Sequence, residues 1–364
     1  MSNVVKSKRI FYFDALRALA IIAVIAFHLY NDCNGLIVNE FKIVSYNWIF
    51  SDIMGTCFRF GVDLFLMLSG ALSLGRVWDI KSFLGKRIPR IVAPFLFWGV
   101  ILTIVLFLIS FYHPDFINLF DSYDLMGFLT YLYQAYLAKT PGFYQYWFFW
   151  MILGTYLIMP IFNKWLYNAD LKEAEYFLFI WLLTCIFDYT IFIKFPVKLN
   201  YFSGPIGMVV LGYYLRHTNR KILNNPYFSV LLLLISSVLL VSISYLNSSV
   251  DAIYTFERYN ILIVMEVTGI FLLFKNFSKF NIKSRFLNNN DSIFRKGVFS
   301  LAKYSYGIYL VHRVILVVFY KALYDILPYK LLVTTLFLSA LGISWIVLAI
   351  LNRVPYINQV IGAK

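Results

Sequence analysis

The chain has 364 residues, of which 61% are hydrophobic and 14% charged, with a formal net charge of +14. Mean hydropathy is +0.74. Soluble domains are about 45–50% apolar and about 25% charged, so this composition excludes a soluble enzyme, a disordered chain and a fibrous one. Cys33, Cys57 and Cys185 form no C-x-x-C pair, which argues against zinc chemistry and a disulfide framework.

Apolar runs of about 20 residues recur along the whole length and predict an all-α polytopic membrane protein. Ten transmembrane helices are expected, at 10–30, 55–75, 90–111, 145–165, 175–194, 200–215, 227–246, 258–275, 298–320 and 330–351. No stretch between them is long enough to bury a core of its own, so residues 1–364 read as one transmembrane domain with no separate soluble domain.

The first run follows Lys6, Lys8 and Arg9. It is too long for a cleavable signal peptide, and no small-residue cleavage site follows. Ionisable side chains inside a span cost at least about 2.5–3.5 kcal/mol, so each one asks for a reason. Asp14 and Arg17 are spaced i, i+3 and can pair on one face. Arg17 and His28 are separated by three full turns plus about 20°, and by a rise of about 16.5 Å, so one polar stripe crosses much of the bilayer. A structural Arg with an interfacial His would fit. So would the lining of a transport or catalytic channel, for which His suits proton transfer.

The second run, CFRFGVDLFLMLSGALSLG, buries Asp63 beside Gly61 and continues to Ser69 and Gly70. Small residues let helices approach closely, and Arg59 and Asp63 can pair at i, i+4. Lys86, Arg87 and Arg90 then stand at the mouth of the third run. They are either an ordinary basic flank or a phosphate clamp. Residues 113–143 are long for a loop, and 125–138 within them read as a short interfacial or re-entrant helix on the outer face. Glu266 lies mid-span, as a neutral structural carboxyl or a site-lining one. The stretch 276–297 is polar, Asn-rich and basic, and reads as a flexible cytoplasmic segment. In the ninth run His312 and Arg313 have no carboxylate at i±4 and must find partners on other helices, with Asp188 and Glu266 as candidates by composition.

Numbering the loops alternately puts 22 of the 32 Lys and Arg residues on the side of the N-terminus. The positive-inside rule then places both termini in the cytoplasm. The basic excess follows from this topology and from attraction to anionic lipid, so no nucleic acid is expected as a partner.

Several of these blocks together resemble the acyltransferase-3 family of multispan bacterial membrane proteins. FDALRALAIIAVIAFH is similar to its first-helix block and GVDLFLMLSG to its second. KRIPRIVAPF resembles its basic stretch, while QYWFFWMILGTYLIMPIF and SYGIYLVH resemble later blocks in the same order. The resemblance implies a bacterial cytoplasmic-membrane enzyme. Such an enzyme moves an acyl group, usually acetyl, from cytoplasmic acyl-CoA to a hydroxyl of a cell-surface glycan or polysaccharide. It implies Arg17 and His28 as the essential pair, with Arg87 and Arg90 linked to CoA binding, and it places Asp63 and His312 in motif blocks. Many relatives carry a C-terminal extracytoplasmic hydrolase-like domain. None is expected within these residues, which leaves open direct transfer or a separate extracytoplasmic partner.

This chemistry fits the residues. Acetyl-CoA would be the donor co-substrate with no metal, held by Lys86, Arg87 and Arg90. The Arg17–His28 stripe would guide its pantetheine arm, and Asp14 would orient Arg17. His28 would act as general base or as acyl carrier. Asp63, His312, Arg313 and Glu266 would line the site. A non-enzymatic exporter or flippase also wants polar groups along a pathway, but it has no use for CoA. A sensory or scaffold domain would tolerate apolar replacement of its intramembrane charges.

Overall fold

The computed structural model describes residues 10–41, 46–193, 197, 199–247, 256–277 and 292–363. Lys6, Lys8, Arg9, Lys42, Lys194, Lys198 and most of the 276–297 segment lie outside the described residues. Every regular element among those described is helical. In order they are α1 (Phe11–Phe41), α2 (Tyr46–Cys57), α3 (Gly61–Ser73), α4 (Ile80–Tyr112), α5 (Leu125–Tyr136) and α6 (Trp147–Asn168). There follow α7 (Leu171–Tyr189), α8 (Pro205–His217), α9 (Pro226–Asn247), α10 (Ile261–Asn276), α11 (Ile293–Leu323) and α12 (Tyr329–Leu351).

Seven segments are long and apolar enough to cross a membrane: Phe11–Asn31, Tyr46–Ser73, Ile80–Tyr112, Tyr144–Asn168, Pro226–Asn247, Ile293–Leu323 and Tyr329–Leu351. The other three expected spans fall on α7, α8 and α10. α8 has 13 residues and α10 has 16, short of the about 20 that a bilayer needs. α7 carries Lys172, Glu173, Glu175 and Asp188. The two short helices are buried on most sides, so protein rather than lipid satisfies their surface.

The second span begins earlier than the hydropathy suggests and is broken at residues 58–60. The break lets α2 lean on α9 while α3 packs along α8. That second contact is backbone against backbone. A methyl group at Gly70 would collide with the Val209 carbonyl, and one at Gly212 with the Met67 carbonyl. Such approach gains dispersion contacts in a solvent that gives helices no hydrophobic reason to associate. Gly61 performs the same task against α1, where a Cβ would sit 2.9 Å from the Ala20 carbonyl oxygen.

α11 packs between α1 and α12 and also touches α4. Asp79 caps α4 by accepting from the Ser82 amide at 3.1 Å. Pro89 and Pro94 remove two donors inside that helix. Beside them the Tyr306 hydroxyl donates to the Ile91 carbonyl at 2.8 Å, tying α11 to α4. The chain after α12 folds back against the same pair. Trp98 donates to the Ile361 carbonyl at 3.2 Å, and Gly362, at φ 82°, approaches Gly307.

α5 is about 18 Å long, too short to cross the hydrocarbon core. Its inner face buries Gly127, Tyr131 and Ala135, while Leu125, Met126, Leu129 and Tyr133 remain exposed. A short helix apolar on both faces suits the membrane boundary.

Gly212→Val is expected to lower the melting temperature of the detergent-purified protein sharply, because overpacking costs about 1–3 kcal/mol or more. Gly154 provides the control, since an added methyl would meet nothing within 4 Å there: Gly154→Ala, inside α6, should leave the melting temperature unchanged or raised.

Candidate functional site

Two cavities enter the helix bundle from opposite ends. The first, of about 310 Å³, is lined by Arg17 of α1, Ser69 of α3, Arg87 and Arg90 of α4, and Lys303 of α11. Apolar and aromatic walls from α3, α6 and α11 close its deeper part, where Phe65, Phe148, Ile152 and Tyr309 meet. Arg17 is held by Asp14, with 3.4 Å between guanidinium and carboxylate. Arg87 donates to the Ser73 hydroxyl at 2.9 Å. Lys86 is exposed and lies outside this cavity, so the basic stretch contributes two residues to it rather than three.

The second cavity, of about 940 Å³, lies at the other end of α11. Tyr144, Tyr320 and Tyr324 supply rings, and Asp115, Asp325, Lys321 and Arg313 supply charge. Its walls come from the start of the 113–143 stretch, the C-terminal turns of α11, and Leu29 and Asn31 of α1.

The cavities stop one turn of α11 apart. Tyr309 belongs to the first and Arg313 to the second, about 6 Å along the helix. The barrier between them is polar. Arg313 donates to His28 Nδ1 at 2.9 Å, linking α11 to α1. The His28 and His312 rings lie 5.4 Å apart between centroids. The Tyr309 hydroxyl donates to the Gln145 carbonyl, and the Gln145 amide donates to the Leu310 carbonyl at 3.4 Å. Arg313 also rests over the Tyr144 ring at 5.1 Å.

These contacts fix both imidazoles. A guanidinium only donates, so His28 Nδ1 must accept and the proton of the neutral ring sits on Nε2. His312 Nδ1 lies 3.1 Å and 2.8 Å from the Ile308 and Tyr309 carbonyls, which only accept. Its proton therefore sits on Nδ1, and Nε2 keeps a lone pair. That Nε2 is buried without a hydrogen-bond partner.

Several sequence-derived pairings are rearranged. Arg313 meets His28 rather than Asp188 or Glu266, because α11 packs on α1. Glu266 faces α9 instead, 3.5 Å from the Ser237 hydroxyl, away from both cavities. The expected Arg59–Asp63 pair does not form. The break at 58–60 turns Arg59 onto the Phe27 ring at 5.4 Å, and neither Asp63 oxygen has a hydrogen-bond partner. Asp63 is fully enclosed and lines neither cavity.

Lys303, Tyr306, Tyr309 and Gln145 are site residues that the sequence reading does not single out. Tyr306, Tyr309 and Arg313 stand at i, i+3 and i+7, a one-face spacing that could have revealed them. Gln145 follows a turn and carries no comparable signal.

A family model described as an acyltransferase domain matches residues 10–349. No curated protein and no solved structure matches the chain. Because Asp63 makes no hydrogen bond, Asp63→Asn is expected to leave the melting temperature unchanged or raised, as thermal unfolding in detergent will read.

Proposed function

This chain belongs to the acyltransferase-3 family, and we propose that it carries acyl groups from a CoA thioester in the first cavity to a hydroxyl acceptor in the second. It is an integral membrane acyltransferase; the donor, the acceptor and the direction are our reading. The observation that carries it is the pair of cavities ending one helical turn apart on α11, at Tyr309 and at Arg313, the residue that bonds His28.

The first cavity suits the donor. CoA bears phosphates, and clustered guanidinium groups grip phosphate in bidentate fashion. Arg87, Arg90, Lys303 and Arg17 stand at its polar end, while its depth is apolar enough for a pantetheine arm and a short acyl group. Arg17 positions the donor and Asp14 orients Arg17. Between Arg17 and His28 the helix rises about 16.5 Å, a span that an extended arm can cover.

The second cavity suits a polyhydroxylated acceptor. Tyrosine rings offer flat apolar faces, and Asp115, Asn118 and Asp325 offer acceptors for hydroxyl groups. We take the acceptor to be a cell-surface glycan and the acyl group to be acetyl. His28 stands where the two substrates meet and is the catalytic residue.

On this reading the seven long spans are joined by α7, α8 and α10 to make ten in a bacterial cytoplasmic membrane. Both termini are then inside, which puts the basic cavity on the side where CoA is found. Single cysteines in a cysteine-free background test the orientation. A membrane-impermeant thiol reagent should label position 139 in cells with a permeabilised outer barrier and should miss position 221 until the membrane is broken.

Isothermal titration with acetyl-CoA tests the donor site. Arg87→Ala and Arg90→Ala should each weaken binding about tenfold or more, since a hydrogen bond to a charged group contributes about 1.5–3 kcal/mol. Lys86→Ala should change it less than twofold, and His28→Ala should bind normally yet fail to transfer. Folded protein that binds no acyl-CoA would overturn the reading.

A further inference from the structure

His28 occupies the position from which a base would be expected to act, yet its hydrogen bonding points to the opposite role. Arg313 lies 2.9 Å from Nδ1 and can only donate. The lone pair of the neutral ring is therefore taken, and the nitrogen left for a substrate carries a proton. His312 is its complement. Two backbone carbonyls hold the proton on its Nδ1, and its Nε2 lone pair is buried with nothing to accept. An unsatisfied buried acceptor costs about 1–3 kcal/mol and calls for an explanation. A substrate hydroxyl is the donor it lacks. Arg313 lines the second cavity and bonds directly to His28, and the His312 ring packs 5.4 Å from His28, so both rings lie beside that cavity's inner end.

We infer that His28 acts as a hydrogen-bond donor to the acyl carbonyl, held in that tautomer by Arg313, while His312 is the base that takes the acceptor's proton. The inference rests on the acyl-transfer reading above. As the acceptor oxygen forms its bond to the thioester carbon, its proton passes to His312 Nε2. The carbonyl oxygen gains negative charge and is met by His28 Nε2–H, with the Arg313 cation behind the ring. Collapse of the intermediate breaks the carbon–sulfur bond, and the departing thiolate takes the proton from His312. The products are the ester and CoA thiol, and both histidines return to their starting tautomers. Arg313 acts through His28 and is a positioning residue.

Two measurements test this. The first needs no substrate: ¹⁵N NMR of histidine-labelled protein in lipid bilayers, with His28→Gln and His312→Gln identifying the two rings. His28 should carry its proton on Nε2 and His312 on Nδ1, and Arg313→Met should abolish the preference at His28. A His28 ring protonated on Nδ1 in the wild type would overturn the proposal.

The second follows labelled acetyl from acetyl-CoA into the glycan of membrane vesicles from the source cells. Glutamine places an N–H where His28 Nε2–H stands but offers no base there. His28→Gln should keep about a tenth of the wild-type rate while His28→Ala loses about a hundredfold, the typical effect of removing one oxyanion donor. His312→Gln should be as inactive as His312→Ala. If His28→Gln is as inactive as His28→Ala while the wild type transfers, His28 is the base and the proposal falls, with the acyltransferase reading intact. If wild-type protein neither binds acetyl-CoA nor transfers from it, the underlying reading falls instead.

Discussion

A guanidinium inside a bilayer must place its protons somewhere, and in this protein Arg313 places one on His28. The rest of the site is arranged around that bond. It joins α11 to α1, it sets which nitrogen of His28 faces outward, and it stands in the barrier between the two cavities. Its strength comes from its surroundings, because with little water nearby a charge-assisted hydrogen bond is worth more than at a surface. The same low polarity makes any unpaired polar group expensive. The unpartnered Nε2 of His312 and the two bare oxygens of Asp63 are therefore informative. The first has an explanation in acyl transfer. For Asp63 the structure offers no ligand and no cavity.

The scaffold that holds this barrier relies on close approach rather than on hydrophobic burial, since lipid tails are as apolar as the helices. Gly70 and Gly212 set α3 against α8 with backbones touching, and Gly61 sets α3 against α1. α11 is then anchored on several sides. Tyr306 bonds to α4, His28 receives Arg313 from it, and the chain after α12 leans on Gly307. Rigid placement of α11 matters because residues 303 to 313 of that one helix contribute to both cavities.

Much of this is legible in the sequence. Helical class follows from hydropathy, and the Asp14–Arg17 pair and the Arg17–His28 stripe follow from helical periodicity, because contacts within one helix are fixed by spacing. Contacts between helices are not, and there the sequence misleads in particular ways. Charge alone matches Arg313 to carboxylates, whereas its partner is a histidine on the first helix. Arg59 and Asp63 have ideal spacing for a pair, but the helix breaks between them. Lys86 belongs to the right basic stretch, yet its position on α4 points it away from the cavity that Arg87 and Arg90 line. Span length turns on the same distinction. Hydropathy treats every apolar run as facing lipid, whereas α8 and α10 are apolar because protein surrounds them, and they are shorter than a lipid-facing helix has to be.

The returning segment after α12 has a consequence for biosynthesis. Gly362 lines the same basic cavity as Arg17, and Ile361 is bonded to Trp98 of α4. The basic cavity is thus built from α1 and from residues that the ribosome adds only after α12. A nascent chain that has not reached those residues cannot hold it. Such a polypeptide has its arginines in place and its cavity wall unfinished. Closing this cavity is therefore among the last steps by which the bundle is completed.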